Sequence, residues 1–457
     1  MTHPHVRLRA RAQLALALAL SLSTAALHAQ GPATPVLSLT LADAAARARL
    51  QGAAVIGATA RASQVEARVN QRRADLLPQL SGITEANSRT FNTATLGISF
   101  PAAPGSAPFF DPDGEVLGPV PTSDVRARVQ QTIFDGAALA RLRLARQQGS
   151  TARTETSQAG ATAATQAAIA YVRVQRADAV LEARAADSTL AADLLRIARE
   201  TLRAGTGVAL DVTRAESQLV SIRSQLIGAR VERDKAQLEL RRAISVDLNQ
   251  PIRIADALDA GELEIPQEGV ALATAERQRP ELQVVNQQLA TARLASRAIR
   301  AERLPTVNAV ADDGFIGKNV GTNMLNTWTW ALRVSVPVFE GGRREARESE
   351  QSYVQQELEA RRSDLLAQVS VDVRSALLDA QSAREAVDAA RERVRLSEQE
   401  LSQARDRFTA GVSGNLDVTS ALLGLSGART QLVDALASRQ LARISIARSQ
   451  GSISSLR

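Results

Sequence analysis

The side chains that most often carry covalent or metal chemistry are nearly absent from this chain. It has no cysteine, and its three histidines, His3, His5 and His28, fall within the first thirty of 457 residues. Past that point no His- or Cys-based nucleophile and no zinc site of the usual ligand sets can be assembled. Disulfides and a lipidated N-terminal cysteine are excluded as well. "DPDGE" (111–115) brings Asp111, Asp113 and Glu115 close together. The run is far too short for an EF-hand and reads as a solvated turn. "AGTGVALDV" (204–212) has Leu210 where the third glycine of a nucleotide loop belongs, and no strand precedes it. Its structural reading is simpler. Gly205, and Gly411 in "AGVSGNLDV", end long helices in the left-handed conformation, and Asp211 and Asp417 stand where the next helices begin. No catalytic residue, metal or cofactor is expected, and an enzyme is the least favoured class.

Charge narrows the partners. The formal net charge of +7 falls to +4 without Arg7, Arg9 and Arg11. Those three precede an Ala/Leu run and small residues up to Ala29, so 1–29 reads as a secretory signal peptide. The remaining arginines are interleaved with acids, as in "RREARESEQ", which describes a solvated helix face and not a nucleic-acid surface. Nothing downstream approaches eighteen consecutive apolar residues, so no transmembrane helix is expected.

The elements that position these residues occur twice. "LRAGTGVALDV" (202–212) returns as "FTAGVSGNLDV" (408–418), "IFDG" (133–136) as "VFEG" (338–341), and "LLPQL" (76–80) as "RLPTV" (303–307). The unequal offsets are explained by an extra Pro/Gly-rich loop, 101–121. The expected order is a signal peptide (1–29), a first repeat (30–245), a linker (246–270), a second repeat (271–450) and a tail (451–457). Within the repeats, strands are expected at 79–100, 122–134, 305–315 and 326–339. Long helices are expected at 137–204 and 343–410, and return helices at 209–245 and 416–450. Apolar residues recur at heptad spacing from Val369 to Phe408, a coiled-coil seam whose first copy is interrupted by Arg184 and Ser188. A 68-residue helix is about 100 Å long, which suits a tube or rod better than a globule.

The strands carry the functional reading. In "NTWTWALRVSVPVF", Trp328, Trp330, Leu332, Val334, Val336 and Val338 alternate with smaller or polar residues. "DVRARVQQTIF" repeats the pattern with Val125 and Val129. Nine of the twelve aromatic residues lie between 79 and 134 or between 305 and 339. Short alternating strands with girdle-like aromatics after a signal peptide suggest a membrane β-barrel. Trp328, Trp330, Val334, Val336 and Val338 then face outer-membrane lipid, while Arg128 and Arg333, on the polar face at matching positions, line the lumen. A pairing with Glu85 or Asp312 is the plainer role for either arginine. Four strands leave unpaired edges that lipid does not tolerate, so two, three or four copies must share one barrel.

In the order of these features the chain resembles the TolC-type outer-membrane efflux proteins. The signal peptide, the doubled helix–hairpin–helix unit, "FDG" and "FEG", and the two glycine turns carry the resemblance. It implies a mainly α fold with a small membrane β-barrel: a homotrimer with twelve strands, continued by a periplasmic α-helical tunnel. The implied function is a passive exit duct for small molecules in the Gram-negative outer membrane. It would be served by a periplasmic adaptor and an inner-membrane pump or exporter. The resemblance also implies that Ala204, Gly205, Thr206, Ala410, Gly411 and Val412 form the tip that the adaptor grips. Asp211 and Asp417 would then stand at the aperture, Asp417 matching the family's acidic ring, and 246–270 would form a belt. Ser413 and Ser420 depart from the tether and second acid of familiar members, and the missing cysteine from the lipidated branch. Type I protein secretion is the alternative within the family. A secreted structural or adhesive coiled-coil protein is the alternative outside it.

Overall fold

The computed structural model describes residues 36–96, 105, 113–260, 263–321 and 323–453. The expected signal peptide, Asp111 and most of the 101–121 loop lie outside them. The described chain runs β1 (Leu37–Leu39), α1 (Leu41–Gln51), α2 (Ala53–Ala74), β2 (Gln79–Asn92), β3 (Val116–Asp135), α3 (Gly136–Arg203) and α4 (Ala209–Ala243). It continues through β4 (Ile252–Ile254), α5 (Glu268–Gln278), α6 (Pro280–Ala301), β5 (Thr306–Gly317), β6 (Leu325–Ser335), α7 (Arg343–Thr409) and α8 (Asn415–Ser449).

Two compact units form. One gathers the chain up to Ile56, Gln158–Arg279 and everything from Gln368; the other holds Gly57–Ser157 and Pro280–Ala367. In the first unit the heptad ladder is the buried face. Val369, Val373, Ala376, Ala380, Val387 and Ala390 are almost fully enclosed, as are Ala167, Val174, Ala191 and Ala198 of the first copy. Alanine at these positions lets helix backbones approach closely. A short parallel pair, β1 with β4, lies beside this core, Leu37 opposite Ile252. Thr40 caps α1 with a reciprocal box: its hydroxyl accepts from Asp43 N at 3.1 Å, and Asp43 accepts from Thr40 N at 3.2 Å.

The second unit contains a four-stranded antiparallel sheet in the order β2-β3-β5-β6. Its strand bounds differ from those read in the sequence. β2 stops at Asn92, where a 3-10 turn, Thr93–Leu96, begins. β3 starts at Val116, so Val116–Pro121, expected as loop, pair instead with Arg89–Asn92 and Ser88. β6 ends at Ser335, because Pro337 has no amide to continue the ladder. Val336 and Val338 therefore leave the sheet.

The polar interruption of the first seam also finds its reason. Asp187 on α3 is fully buried, held at 3.3 Å by both Arg184 and Arg429, the latter on α8. Arg184 donates further to Ser426 and, at 2.9 Å, to Thr430. Arg429 reaches Glu398 of α7 at 3.5 Å. A carboxylate without water is tolerable only because two guanidinium groups and their hydroxyl partners surround it. Asp187→Ala, which takes the buried carboxylate from both arginines and leaves Arg184 with hydroxyl partners only, is expected to cost about 3 kcal/mol, measured by denaturant unfolding against the parent.

Candidate functional site

The sheet has two faces of opposite chemistry, fixed by its register. Leu80, Val129, Ala311 and Trp330 stand opposite one another across the four strands, as do Phe134, Val307 and Val334. Trp328 and Leu332 share that face through their partners Asp313 and Ala309. It is apolar and uncovered: Leu80 is 76 % exposed, Trp330 71 % and Val334 60 %. Asp313 is its one charged residue among those described and accepts from Asn326 at 2.9 Å.

The other face is charged, and only its centre around Asp312 is buried, while Ser81, Thr329 and Arg333 on the outer strands are exposed. Ser81, Arg128, Asp312 and Thr329 form one cross-strand row, and Thr132, Asn308 and Arg333 another. Arg128 meets Asp312 at 3.4 Å, and Arg126 meets it at 2.8 Å while also binding Asp124. Asp312 is only 8 % exposed. This arrangement inverts a water-soluble sheet, in which the apolar face is the covered one. Arg128 and Arg333 thus share a face, Arg128 in an ion pair and Arg333 opposite a neutral amide. Sequence reading overlooked Arg126, the centre of the cluster. Alternation alone marks it as polar, but its partner is 186 residues away.

At the far ends of the long helices the two glycine turns adopt the same closure. Gly205 and Gly411 have φ of 74° and 73°. Gly205 N donates to Leu202 O and Thr206 N to Thr201 O; Gly411 N donates to Phe408 O and Val412 N to Arg407 O. Each is a Schellman motif, which needs a left-handed residue just past the helix. Ala204, Gly205, Thr206, Ala410, Gly411 and Val412 are all exposed. Exposed Val208, Leu210, Val412 and Leu416 add an apolar surface beside them.

The structure joins the two turns. Asn415, 2 % exposed, donates its side-chain amide to the Asp211 carbonyl at 3.0 Å. Behind it Leu194, Leu219, Leu401, Val418, Leu422 and their neighbours form one apolar cluster. Asp211 is half-buried and Asp417 exposed, each in the first turn of its helix. Ser420 is exposed, while Ser413 is half-buried with its hydroxyl lacking a partner. Asn415 escaped the sequence reading, because the repeat offset puts Ala209 at its counterpart.

The 246–270 segment wraps the long helices through polar contacts. Tyr171 is fully buried; its hydroxyl donates to Leu39 O at 3.0 Å and lies 3.1 Å from the Asp256 carboxylate. Burial raises the tyrosine pKa and keeps the hydroxyl a donor. Asp256 also accepts from Leu41 N at 2.7 Å. Asp259 is held by Arg391 at 2.9 Å and Arg439 at 2.8 Å, and Gln440 donates to Leu258 O and Ala260 O. Among the described residues no His/Cys/Asp/Glu group is arranged to hold a metal, and no helix is long and apolar enough to cross a membrane.

Gly205→Ala and Gly411→Ala are each expected to weaken the local turn by about 1–2 kcal/mol, the cost of a Cβ in the left-handed region. Amide exchange at Thr206 and Val412 should accelerate. Gly424→Ala, inside α8 with open space around the added methyl, should instead stabilise slightly.

Comparison with known proteins follows the same geometry. The family model described as outer membrane efflux protein matches residues 44–246 and 271–452. The probable efflux pump outer membrane protein TtgC of Pseudomonas putida is 24% identical over 252 residues, covering 52% of this chain and 49% of the relative. The antibiotic efflux pump outer membrane protein ArpC of the same species matches equally. The chain thus spans about half the length of the curated relatives it matches. Among solved structures, the Campylobacter jejuni CmeC outer membrane channel superposes with a TM-score of 0.73 at 16% identity, over 90% of this chain and 85% of that one. Vibrio cholerae VceC gives 0.70 at 18%, over 90% and 96%. These likenesses establish a shared fold, and the two matched segments, which cover the greater part of both repeats, establish kinship. The chain belongs to the outer membrane efflux protein family, whose place is the Gram-negative outer membrane.

Proposed function

We propose that this chain is a passive exit duct for small molecules, three copies of which share one twelve-stranded barrel continued by a helical tunnel. The observation that carries the reading is the inverted sheet. Its apolar face is bare, its charges gather on the opposite face around buried Asp312, and among the described residues β2 and β6 each have one unpaired edge. In hydrocarbon every backbone amide must be paired, so the edges call for further copies and the bare face for lipid. Trp328, Trp330, Val334 and the valines Val125 and Val129 face that lipid; Val336 and Val338 follow the last strand towards the periplasm. Arg128 and Arg333 line the lumen. The names of TtgC and ArpC, an efflux pump protein and an antibiotic efflux pump protein, support small-molecule cargo. The tip around Gly205 and Gly411 receives a periplasmic adaptor, which couples the duct to an inner-membrane pump.

Heat-resistant oligomers and ion conductance in planar bilayers test this reading; a soluble monomer without conductance ends it. Depth gives a sharper check. Trp330 lies mid-strand and Val334 beside the strand end at Ser335. Trp330→Arg is expected to cost about 2–4 kcal/mol and Val334→Arg about 0–1 kcal/mol, as for charges at the midplane and the interface of barrels. Equal costs would place the sheet outside a bilayer.

Selectivity should come from the tip. On the polar sheet face Arg126 and Arg128 are offset by Asp124 and Asp312. Asp417 is exposed and has no ion-pair partner among the described residues. Three copies around one axis attract cations. Asp417→Ala is expected to lower cation selectivity and relieve block by multivalent cations in single-channel recordings; unchanged block would leave Asp417 as a helix-start residue only.

A further inference from the structure

We infer that the sheet ends of four helices form a docking surface for anionic phospholipid headgroups of the periplasmic leaflet. This inference rests on the membrane reading of the sheet given above. The antiparallel order brings the start of β2, the end of β3, the start of β5 and the end of β6 to one end of the sheet, where Gln79 pairs with Gln130 and Thr306 with both Asp135 and Ser335. Each of these four junctions carries an exposed large apolar residue beside the sheet: Leu77 at 51 %, Leu139 at 41 %, Leu304 at 46 % and Phe339 at 85 %. Four residues further from the sheet, every one of them is followed by an exposed arginine: Arg73, Arg143, Arg300 and Arg343. Leu139 and Arg143 both lie in α3, where four residues advance about 6 Å; Leu77, Leu304 and Phe339 stand in the connections between helix and strand.

An apolar side chain with a guanidinium four residues further from the sheet matches the step from acyl chain to headgroup, where arginine stems lie along apolar matter and their heads reach phosphate. The neighbouring arginines do not compete for this role, because acids of the same chain occupy them. Arg72 pairs with Asp75 at 3.5 Å, Arg141 with Asp135 at 3.4 Å, Arg303 with Glu348 at 3.2 Å and Arg347 with Glu302 at 2.8 Å. By contrast Arg73, Arg143 and Arg300 have no carboxylate within 4.0 Å among the described residues, and Arg343 has only Glu340 at 3.6 Å. Arg300 donates to the Ser296 hydroxyl at 3.0 Å, which leaves its charge unbalanced. Four positive groups beyond one end of the sheet, each four residues from an exposed apolar anchor, complement a layer of phosphates and not a neutral surface.

The test uses the folded oligomer in neutral detergent, equilibrated with equal amounts of phosphatidylglycerol and phosphatidylcholine, with bound lipid counted by native mass spectrometry. The wild type should retain phosphatidylglycerol over phosphatidylcholine by about fivefold or more, the factor one basic contact contributes at an anionic surface. R73Q/R143Q/R300Q/R343Q should lose the preference, and the four lysine replacements should keep it, since lysine also binds phosphate as a point charge. Raising the salt concentration should erase the wild-type preference through screening, a result that holds its value even if the glutamine variant fails to assemble. Equal retention of the two lipids by the wild type, a preference that salt does not move, or a preference surviving in the glutamine variant would overturn the proposal. Bilayer conductance separates the two readings. Conducting wild type with no lipid preference sinks the headgroup surface alone, whereas absent conductance in either lipid sinks the duct and this surface with it.

Discussion

An amide placed in hydrocarbon has no water to turn to, and the rest of this structure depends on that constraint. The four-stranded sheet ends in two open edges, β2 and β6. In water an exposed edge is a modest liability. In lipid each unpaired group costs several kcal/mol. The sheet also bares Trp328, Trp330, Leu332 and Val334 on one side and gathers Asp124, Arg126, Arg128 and Asp312 on the other. In the proposed setting both features require what one chain lacks, more strands and a lipid surround. At one end of the sheet each strand is joined to a helix, directly at Asp135/Gly136 and through short connections at the other three.

Much of this was legible in the sequence, for a physical reason. Period-two alternation and heptad spacing are local, and a duplicated unit states each of them twice. The chain from Val369 to Phe408 names its own buried face. Proline made two boundaries misleading. Pro119 and Pro121 sit in a stretch dense in Pro and Gly, yet β3 runs through them. Pro337 sits in a stretch that alternates well, yet the ladder stops before it. In the first case strand pairing with β2 overrides local composition; in the second a missing amide overrides the apolar pattern.

Side-chain partnerships were less legible, since they depend on register between distant elements. Nothing in "DVRARVQQ" says that Arg126 and Arg128 share Asp312. Only the β3–β5 pairing decides it. The two glycine turns were visible because one residue type meets one backbone need, whereas Asn415 was not, because its partner is a carbonyl, which every residue carries. The duplication even concealed it. Symmetry invites the expectation that both turns are alike, and the hydrogen bond to Asp211 runs one way only.

The buried charges around Asp187 bear on how the long helices keep their stagger. A seam in which alanine alternates with valine and leucine is weakly indexed: where alanine meets alanine, shifting one helix by a heptad exchanges small side chain for small side chain. Such a rail holds helices side by side without saying where along the axis each must stop. A single enclosed carboxylate that fits only between Arg184 and Arg429 supplies the missing coordinate. It works as an index pin, penalising slippage through one uncompensated charge where methyl contacts would hardly object. The alanines set the distance between helices, and one ion cluster sets their alignment.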